Sequence, residues 1–273
     1  DMGLNFERPW DINGQTFTHT LEPRLYYVRM PYRDQSQIPN FDTANLDFGF
    51  AQIFSENQFN GLDKVNNANQ LTAAITSRLL DAEDGSERLR VAVAQRLYFT
   101  DQNVKLDGST QKTDSRSDLL ALVGGKVAPF WFVDAGWQYH PASGKTQKAN
   151  LLARYQPESG KVLNLGYRYT RDELRQLDLA TQWPLGGRWY GTGRINWSLP
   201  EKRLVEGLAG LEYNGGCWVF RAVAHRFVTG VERYNSGVMF QLEFNGLSQI
   251  GSNPLETLTR NILGYQKINR PAP

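Results

Sequence analysis

Apolar and polar side chains alternate with a period of two through most of this chain. In residues 87–100 one face is apolar except for Gln95, and the opposite face carries Arg88 and Arg96. Residues 175–185 repeat the pattern. Successive side chains of a β-strand point to opposite faces, so the alternation predicts strands with one apolar and one polar face. We therefore expect an all-β fold.

About thirteen segments carry this pattern, most of them ten to fourteen residues long. They are residues 3–10, 15–30, 69–82, 87–100, 118–128, 130–142, 147–158, 162–174, 175–185, 189–199, 204–215, 216–229 and 237–247. Asn13-Gly14 is a strong hairpin signal between the first two. Asn253-Pro254 predicts the start of one short helix carrying Leu255, Leu258 and Ile262.

Alternation alone also fits a soluble β-sandwich, but three further features favour a transmembrane barrel. Tilted strands of about ten residues cross roughly 25 Å, the height of an outer-membrane apolar band, whereas soluble strands are usually about five or six residues long. Aromatic residues cluster towards the strand ends in two sets, as barrel girdles do. Tight turns alternate with longer connections such as 31–68 and 101–117. We predict a transmembrane, antiparallel, up-and-down β-barrel.

Composition excludes several other classes. The net charge of +2 argues against a nucleic-acid partner, and no apolar run is long enough for a transmembrane helix. The mean hydropathy of −0.50 suits a barrel, which needs apolar residues only at alternate positions. No signal peptide is recognisable in a chain that starts within the strand pattern, so we expect an excised segment of an exported protein. Cys217, the single cysteine, excludes an internal disulfide.

No catalytic or metal-binding pattern is present in the sequence. His19, His140 and His225 lie on separate predicted strands without metal-ligand spacing, and no serine occupies a nucleophile elbow. We predict no enzyme, no metal site and no cofactor. The polar faces carry arginines that could bind phosphate groups or pair with carboxylates, and mixed charge favours pairing. The arginines are Arg24, Arg78, Arg96, Arg154, Arg168, Arg194 and Arg221, and the carboxylates are Glu22, Asp178, Glu206, Glu212 and Glu243.

Several long strings resemble the LptD family of lipopolysaccharide-assembly proteins, also called OstA or Imp. They are TFTHTLEPRLYYVRMPYRDQSQIPNFDT, FNGLDKVNNANQLTAAITSRLLD, VAVAQRLYFT, YNGGCWVFR and LEFNGLSQIGSNPLETLTRNILGYQ. The resemblance covers the whole chain and corresponds to the C-terminal half of a barrel of about 26 strands. It implies that residues 1–252 form the partial barrel and that residues 253–273 form a C-terminal periplasmic tail. The signal peptide, a periplasmic jelly-roll domain and the first half of the strands are absent from this chain.

The resemblance implies a lipopolysaccharide translocon of the Gram-negative outer membrane, with an LptE-like lipoprotein plug in its lumen. An LptA-like periplasmic bridge would deliver lipopolysaccharide through the jelly-roll domain. For the 31–68 loop we predict contact with the plug, and the alternative is an external cap over the barrel mouth. The loop residues predicted to contact the plug are Tyr32, Arg33, Asp34, Phe41, Phe48, Phe54 and Phe59.

Two further site predictions follow from the resemblance. Lipopolysaccharide would leave through a lateral gate between the first and last strands, so residues 237–247, taken as the last strand, would form one side. The residues assigned to this gate are Val238, Phe240, Gln241, Leu242, Phe244 and Asn245. Cys217 would form an interdomain disulfide with the missing N-terminal part, the alternative being a buried free thiol. Some relatives carry two adjacent cysteines where this chain has Gly216-Cys217.

Two other functional classes stay open on the sequence alone. Another large outer-membrane barrel, a porin or a nutrient transporter, would show the same strand pattern. A soluble β-rich binding protein is the second alternative. Conductance across a planar bilayer separates the first from a plugged translocon, and dependence of solubility on detergent separates the second.

Overall fold

The computed structural model describes residues 1–106, 113–230 and 233–269. The chain forms two compact units, Asp1–Gly125 with Gly136–Lys148, and Lys126–Ala135 with Ala149–Pro273. The predicted connection 101–117 and the predicted tail 253–273 extend in part outside the described residues. The strand pairings within each of the two units are antiparallel. No helix among them is both long and apolar enough to span a membrane.

The first unit is built around long hairpins. Its strands are β1 (Met2–Gly3), β2 (Phe6–Ile12), β3 (Gln15–Met30), β4 (Ala44–Asn45), β5 (Phe59–Asn60), β6 (Ala68–Asp81) and β7 (Glu87–Tyr98). Strands β8 (Leu119–Ala128), β9 (Trp131–His140) and β10 (Lys145–Glu158) contribute residues to both units. Strand β3 pairs with β1 and β2 on one side and with β6 on the other, and β7 lies between β6 and β8.

The second unit continues as a meander. Its strands are β11 (Lys161–Thr170), β12 (Leu174–Gly186), β13 (Trp189–Ser198), β14 (Arg203–Asn214), β15 (Trp218–Gly230), β16 (Arg233–Phe244) and β17 (Ser248–Gly251), and helix α1 (Pro254–Asn261) follows. Each strand from β11 to β16 pairs with the next one along the chain.

Each of the thirteen predicted segments overlaps one of the thirteen strands of seven or more residues in the described ranges, with bounds that differ by up to four residues. The predicted Asn13-Gly14 turn is confirmed, because both residues have positive φ angles (51° and 81°), as a two-residue hairpin of this type requires. The predicted helix is also confirmed with Leu255 and Leu258, whereas Ile262 lies directly after its last residue. One expectation is wrong: residues 237–247 do not form the last strand, since β17 follows them and pairs with β16.

Both units have the predicted apolar and polar faces, and their burial is the reverse of that in a soluble protein. In the first unit Ile75 on the apolar face is 46% exposed, whereas Thr72 on the polar face is fully buried. In the second, Phe240 is 54% exposed and Arg221 is fully buried. Polar side chains are buried because other segments of the same chain cover the polar face in each unit.

Candidate functional site

In the first unit the long connection between β3 and β6 folds over the polar face. Ile53, the centre of this contact, is fully buried against Ala94 and Leu120. Three phenylalanines of the connection, Phe48, Phe50 and Phe54, surround it. We call residues 43–66, which include this contact, the cover loop.

Arg96 of β7 fixes the cover loop by hydrogen bonds. Its guanidinium donates to the carbonyl oxygens of Gln52 at 3.2 Å, Ile53 at 2.5 Å and Ser55 at 3.2 Å. The hydroxyl of Thr72 donates to the same Ile53 oxygen at 3.1 Å. If the loop moved away from Arg96, these buried carbonyl oxygens would lose their hydrogen-bond donor, which is costly. The loop is therefore fixed to the strands.

The predicted plug-contact residues separate into two groups in the structure. Phe48 and Phe54 pack in the Ile53 cluster, and Phe59 is buried with Val104 and Leu106. The residues that stay exposed are Tyr32, Arg33, Asp34 and Phe41, and Phe41 is 85% exposed. The connection thus packs on the polar face with one set of residues and presents the other set outward. Contact with a plug stays a prediction.

In the second unit a buried charge cluster lies on the polar face of β14, β15 and β16. Arg221 donates to Glu212 at 3.0 Å, to Glu243 at 2.5 Å and to Gln241 at 3.1 Å. Arg221, Glu212 and Gln241 are all buried. A buried charge requires such partners, because removal from water costs several kcal/mol per ion.

Residues 254–269, which we call the C-terminal strap, cover this cluster and its neighbours. Leu258 and Ile262 are fully buried against Val162, Leu208 and Val223. The side chains of the strands also bind the backbone of the strap. Asn164 donates to the Leu263 carbonyl at 2.9 Å, Gln182 exchanges hydrogen bonds with the Gln266 backbone at 2.8 and 3.0 Å, and Asn214 donates to the Ile268 carbonyl at 2.7 Å.

Tyr265 joins the strap to the charge cluster. Its hydroxyl donates to Glu212 at 2.7 Å. Burial, and then the neighbouring Glu212 carboxylate, raise the pKa of Tyr265 well above its usual range. The phenol is therefore protonated at any physiological pH and acts as a donor. The sequence identified the helix within this segment but gave no sign that it returns to the polar face.

A polar cavity of about 490 Å³ lies between the strap and strands β10 to β13. Its lining includes Asn164, Asn196 and Arg194. The side-chain oxygens of Asn164 and Asn196 are buried and have no hydrogen-bond partner among the described residues. A cavity of this size and polarity holds several water molecules, which would satisfy such groups.

Three of the predicted arginines pair with carboxylates, which confirms the expected pairing at these positions. Arg78 pairs with Glu22 at 2.7 Å. Arg194 pairs with Asp178 at 2.7 Å and with Glu206 at 2.9 Å. Arg221 is the third. Arg96 binds carbonyls instead, and Arg24 pairs with Asp1, a residue outside the predicted set. Within the ranges that the structure describes, no group of three or more potential metal ligands occurs.

The predicted gate residues lie on or next to β16, the penultimate strand. Val238 and Phe240 are exposed on the apolar face, and Gln241 is buried on the polar face. The segment Gln241–Phe244 pairs with β17 through Ser248–Gly251, so this part of β16 has strands on both sides. Asn245 lies in the following turn, and its backbone N–H donates to the Cys217 carbonyl at 2.9 Å.

Cys217 lies in the tight turn between β14 and β15 and is exposed. This exposure contradicts the alternative of a buried thiol. The thiol is free in this chain, which contains no other cysteine. The predicted interdomain disulfide is not tested by the structure.

Comparison with known proteins decides the family. The sequence model described as LPS transport system D matches residues 1–189, more than half of the chain. The chain belongs to the LptD family. It is 52% identical over 271 residues to the LPS-assembly protein LptD of Aromatoleum aromaticum, covering 99% of this chain and 34% of the relative. The LptD proteins of Thiobacillus denitrificans and Azoarcus sp. are 49% and 50% identical, with all of this chain and 38% and 34% of each relative covered.

Membership of the LptD family confirms the resemblance seen in the sequence. The family consists of outer-membrane β-barrels, in agreement with the antiparallel strands and the exposed apolar face. Its names describe transport and assembly and not catalysis, which agrees with the prediction that the chain is not an enzyme. The chain spans about a third of the length of the curated relatives that it matches.

Proposed function

We propose that this chain forms part of the wall of an outer-membrane barrel that inserts lipopolysaccharide into the outer leaflet. The protein would cross the outer membrane of a Gram-negative bacterium many times. The carrying observation is the reversed burial of the two faces: Ile75 and Phe240 are exposed, while Arg96 and Arg221 are buried. In water this arrangement would expose a large apolar surface, whereas lipid tails would cover it.

An LptE-like lipoprotein is the partner that we propose for the polar side. The cover loop and the C-terminal strap already fill part of that side in their own units. Tyr32 and Phe41, both exposed beside the cover loop, supply an aromatic surface to which a protein partner could bind. Aromatic side chains contribute much of the energy of typical interfaces.

An LptA-like bridge would deliver lipopolysaccharide from the periplasm through a jelly-roll domain of the complete protein. Exposed Cys217 supports a covalent connection to that domain, because an accessible thiol in an oxidising compartment forms disulfides readily. The short turn that carries it is placed by Asn214, which accepts the Gly216 N–H at 2.9 Å.

A lateral gate at the β16–β17 edge completes the proposal. Strand β17 pairs with only four residues of β16, and Ser252 binds the backbone of Phe240, so residues Arg233–Met239 have no strand partner on that side within the described ranges. Each unpaired backbone group costs several kcal/mol in lipid, which implies that another strand normally covers this edge. That strand would form the other side of the seam.

The decisive experiment is a cross-link across this seam in the complete protein. A cysteine at Val238 paired with one in the first strand of the barrel would block lipopolysaccharide export while the barrel stays folded. The matched control is a cysteine pair at Leu179 and Ile195, which face each other across β12 and β13 on the apolar face. Normal surface lipopolysaccharide with a complete Val238 cross-link would reject the gate, and a block by the control pair would show that cross-linking itself is harmful.

A further inference from the structure

Lys64 is buried at the edge of the cover loop without a counter-ion. The residue is only 5% exposed, yet no carboxylate within the described parts of the chain forms an ion pair with it. Its backbone N–H donates to the hydroxyl of Thr43 at 3.3 Å, which holds the residue in place. Burial of most of the Lys64 side chain removes it from bulk water, so its charge is best compensated by a ligand of opposite charge.

The side chain lines a cavity of about 280 Å³ in the first unit. Lys105 lines the same cavity from the connection that follows β7, and Tyr32 and Ser36 supply hydroxyl groups. Among the described residues of the lining, Asp34 supplies the one carboxylate, which accepts the backbone N–H of Ser36 at 2.9 Å. Two cations therefore outnumber one anion around the cavity.

Two amide contacts hold the walls of the cavity together. The side chain of Gln35 both donates to the Val65 carbonyl at 2.8 Å and accepts the Val65 N–H at 3.0 Å. The side chain of Asn67 donates to the Asp101 carbonyl at 2.8 Å and accepts the Val104 N–H at 3.2 Å. These hydrogen bonds hold three chain segments side by side. Lys64 and Lys105, which lie on two of the segments, thereby line the same cavity.

We propose that this cavity binds a phosphate monoester or a free phosphate ion. At neutral pH such a group carries a charge of about −1.5 to −2, which matches two ammonium groups better than a carboxylate does. Its three terminal oxygens accept hydrogen bonds, and Lys64, Lys105 and the two hydroxyls can donate them. The site does not depend on the lateral gate, so its failure and the failure of the proposed function are separate outcomes.

Binding to the complete purified protein tests the site. Inorganic phosphate is titrated calorimetrically, and in parallel the protein is mixed with phosphatidylcholine nanodiscs containing diphosphorylated lipid A or the same lipid after phosphatase treatment. Loss of one charge-assisted contact in Lys64→Gln should weaken binding by about tenfold or more. Lys202→Gln, in the turn before β14 of the second unit, is the matched control and should bind as the wild type does. Lys64→Arg should retain binding.

Each result has a defined meaning. Lys64-dependent binding of inorganic phosphate assigns the site to free phosphate, and Lys64-dependent binding of phosphorylated discs alone assigns it to a lipid headgroup. Exposed Lys105→Gln provides a second variant in case Lys64→Gln disturbs the loop, and it should weaken binding as well. The proposal is overturned if neither probe binds, if acetate binds as tightly as phosphate, or if both lysine variants bind with wild-type affinity.

Discussion

Arg221 and Glu212 form an ion pair of 3.0 Å between neighbouring strands, and neither side chain has any solvent exposure. The pair faces the C-terminal strap, whose Tyr265 donates to the same carboxylate. Because both charges are out of water, each depends on the other for compensation.

Removal of Arg221 alone should be strongly destabilising. Arg221→Met leaves the Glu212 charge buried without its cation, which typically costs about 3–5 kcal/mol. The double variant Arg221→Met with Glu212→Gln should recover much of the loss, because the fully buried carboxylate is then neutral and the partly exposed Glu243 keeps Lys267 at 3.8 Å. Urea unfolding of the complete protein in detergent measures the free energy of unfolding of the single and the double variant. Arg226→Met, on the opposite face of the same strand, is the control and should cost at most about 1 kcal/mol. Equal losses in the single and double variants would contradict the coupling.

Tyr265 should make attachment of the strap sensitive to alkaline pH. Its pKa in the folded chain is raised above the unfolded value of 10.0, so its stabilising contribution is complete below that value. The contribution is lost progressively as pH rises above it, because the unfolded phenol ionises first. Tyr265→Phe should remove this dependence and cost about 1–3 kcal/mol at neutral pH. Hydrogen exchange of residues 254–269 as a function of pH measures how stably the strap is attached. Exposed Tyr234→Phe is the control. An unchanged alkaline response in Tyr265→Phe would exclude Tyr265 as its cause.

Arg96 should determine whether the cover loop stays on the strands. Arg96→Lys keeps the charge but cannot reach three carbonyls with a planar group, so we expect faster proteolysis within residues 43–66. Arg90→Lys, on the same face of β7 and more exposed, is the matched control and should leave the cleavage rate unchanged. Equal cleavage of the wild type and Arg96→Lys would show that the Ile53 cluster alone holds the loop.

Cys217 should link the barrel to a periplasmic part of the complete protein. In the complete protein Cys217→Ser should alter migration on a non-reducing gel and slow assembly, because the covalent connection is lost. Reduction should make the two proteins migrate alike. Identical migration without reductant would reject the disulfide.

Most of the fold could be predicted from the sequence, because strand faces are local properties. Leu177, Leu179 and Gln182 lie on the faces that the alternation assigns to them, and the same holds for Val238 and Phe240. The pairing of Arg194 with Asp178 follows from opposite charges on one face of adjacent strands, which is visible once the strands are aligned.

The contacts of the two covering segments could not be predicted. Arg96 binds backbone carbonyls, which carry no sequence signature, and Gln182 recognises the backbone of Gln266 in the same way. Strand β17 was missed because its four residues, Ser248–Gly251, are too few to show alternation. Because β17 pairs with Gln241–Phe244, the seam that we propose lies at the edge beyond the predicted last strand.

The C-terminal strap imposes an order on folding. Its contacts join residues far apart along the chain, 84 positions for Gln182 with Gln266 and 99 for Asn164 with Leu263. Closing such long loops is slow compared with forming hairpins between adjacent strands. Strands β11 to β16 must therefore assemble while Glu212 and Arg221 are still open to water, and the strap binds afterwards. A folding factor that accompanies the nascent barrel has access to this hydrated face until that late step expels the water.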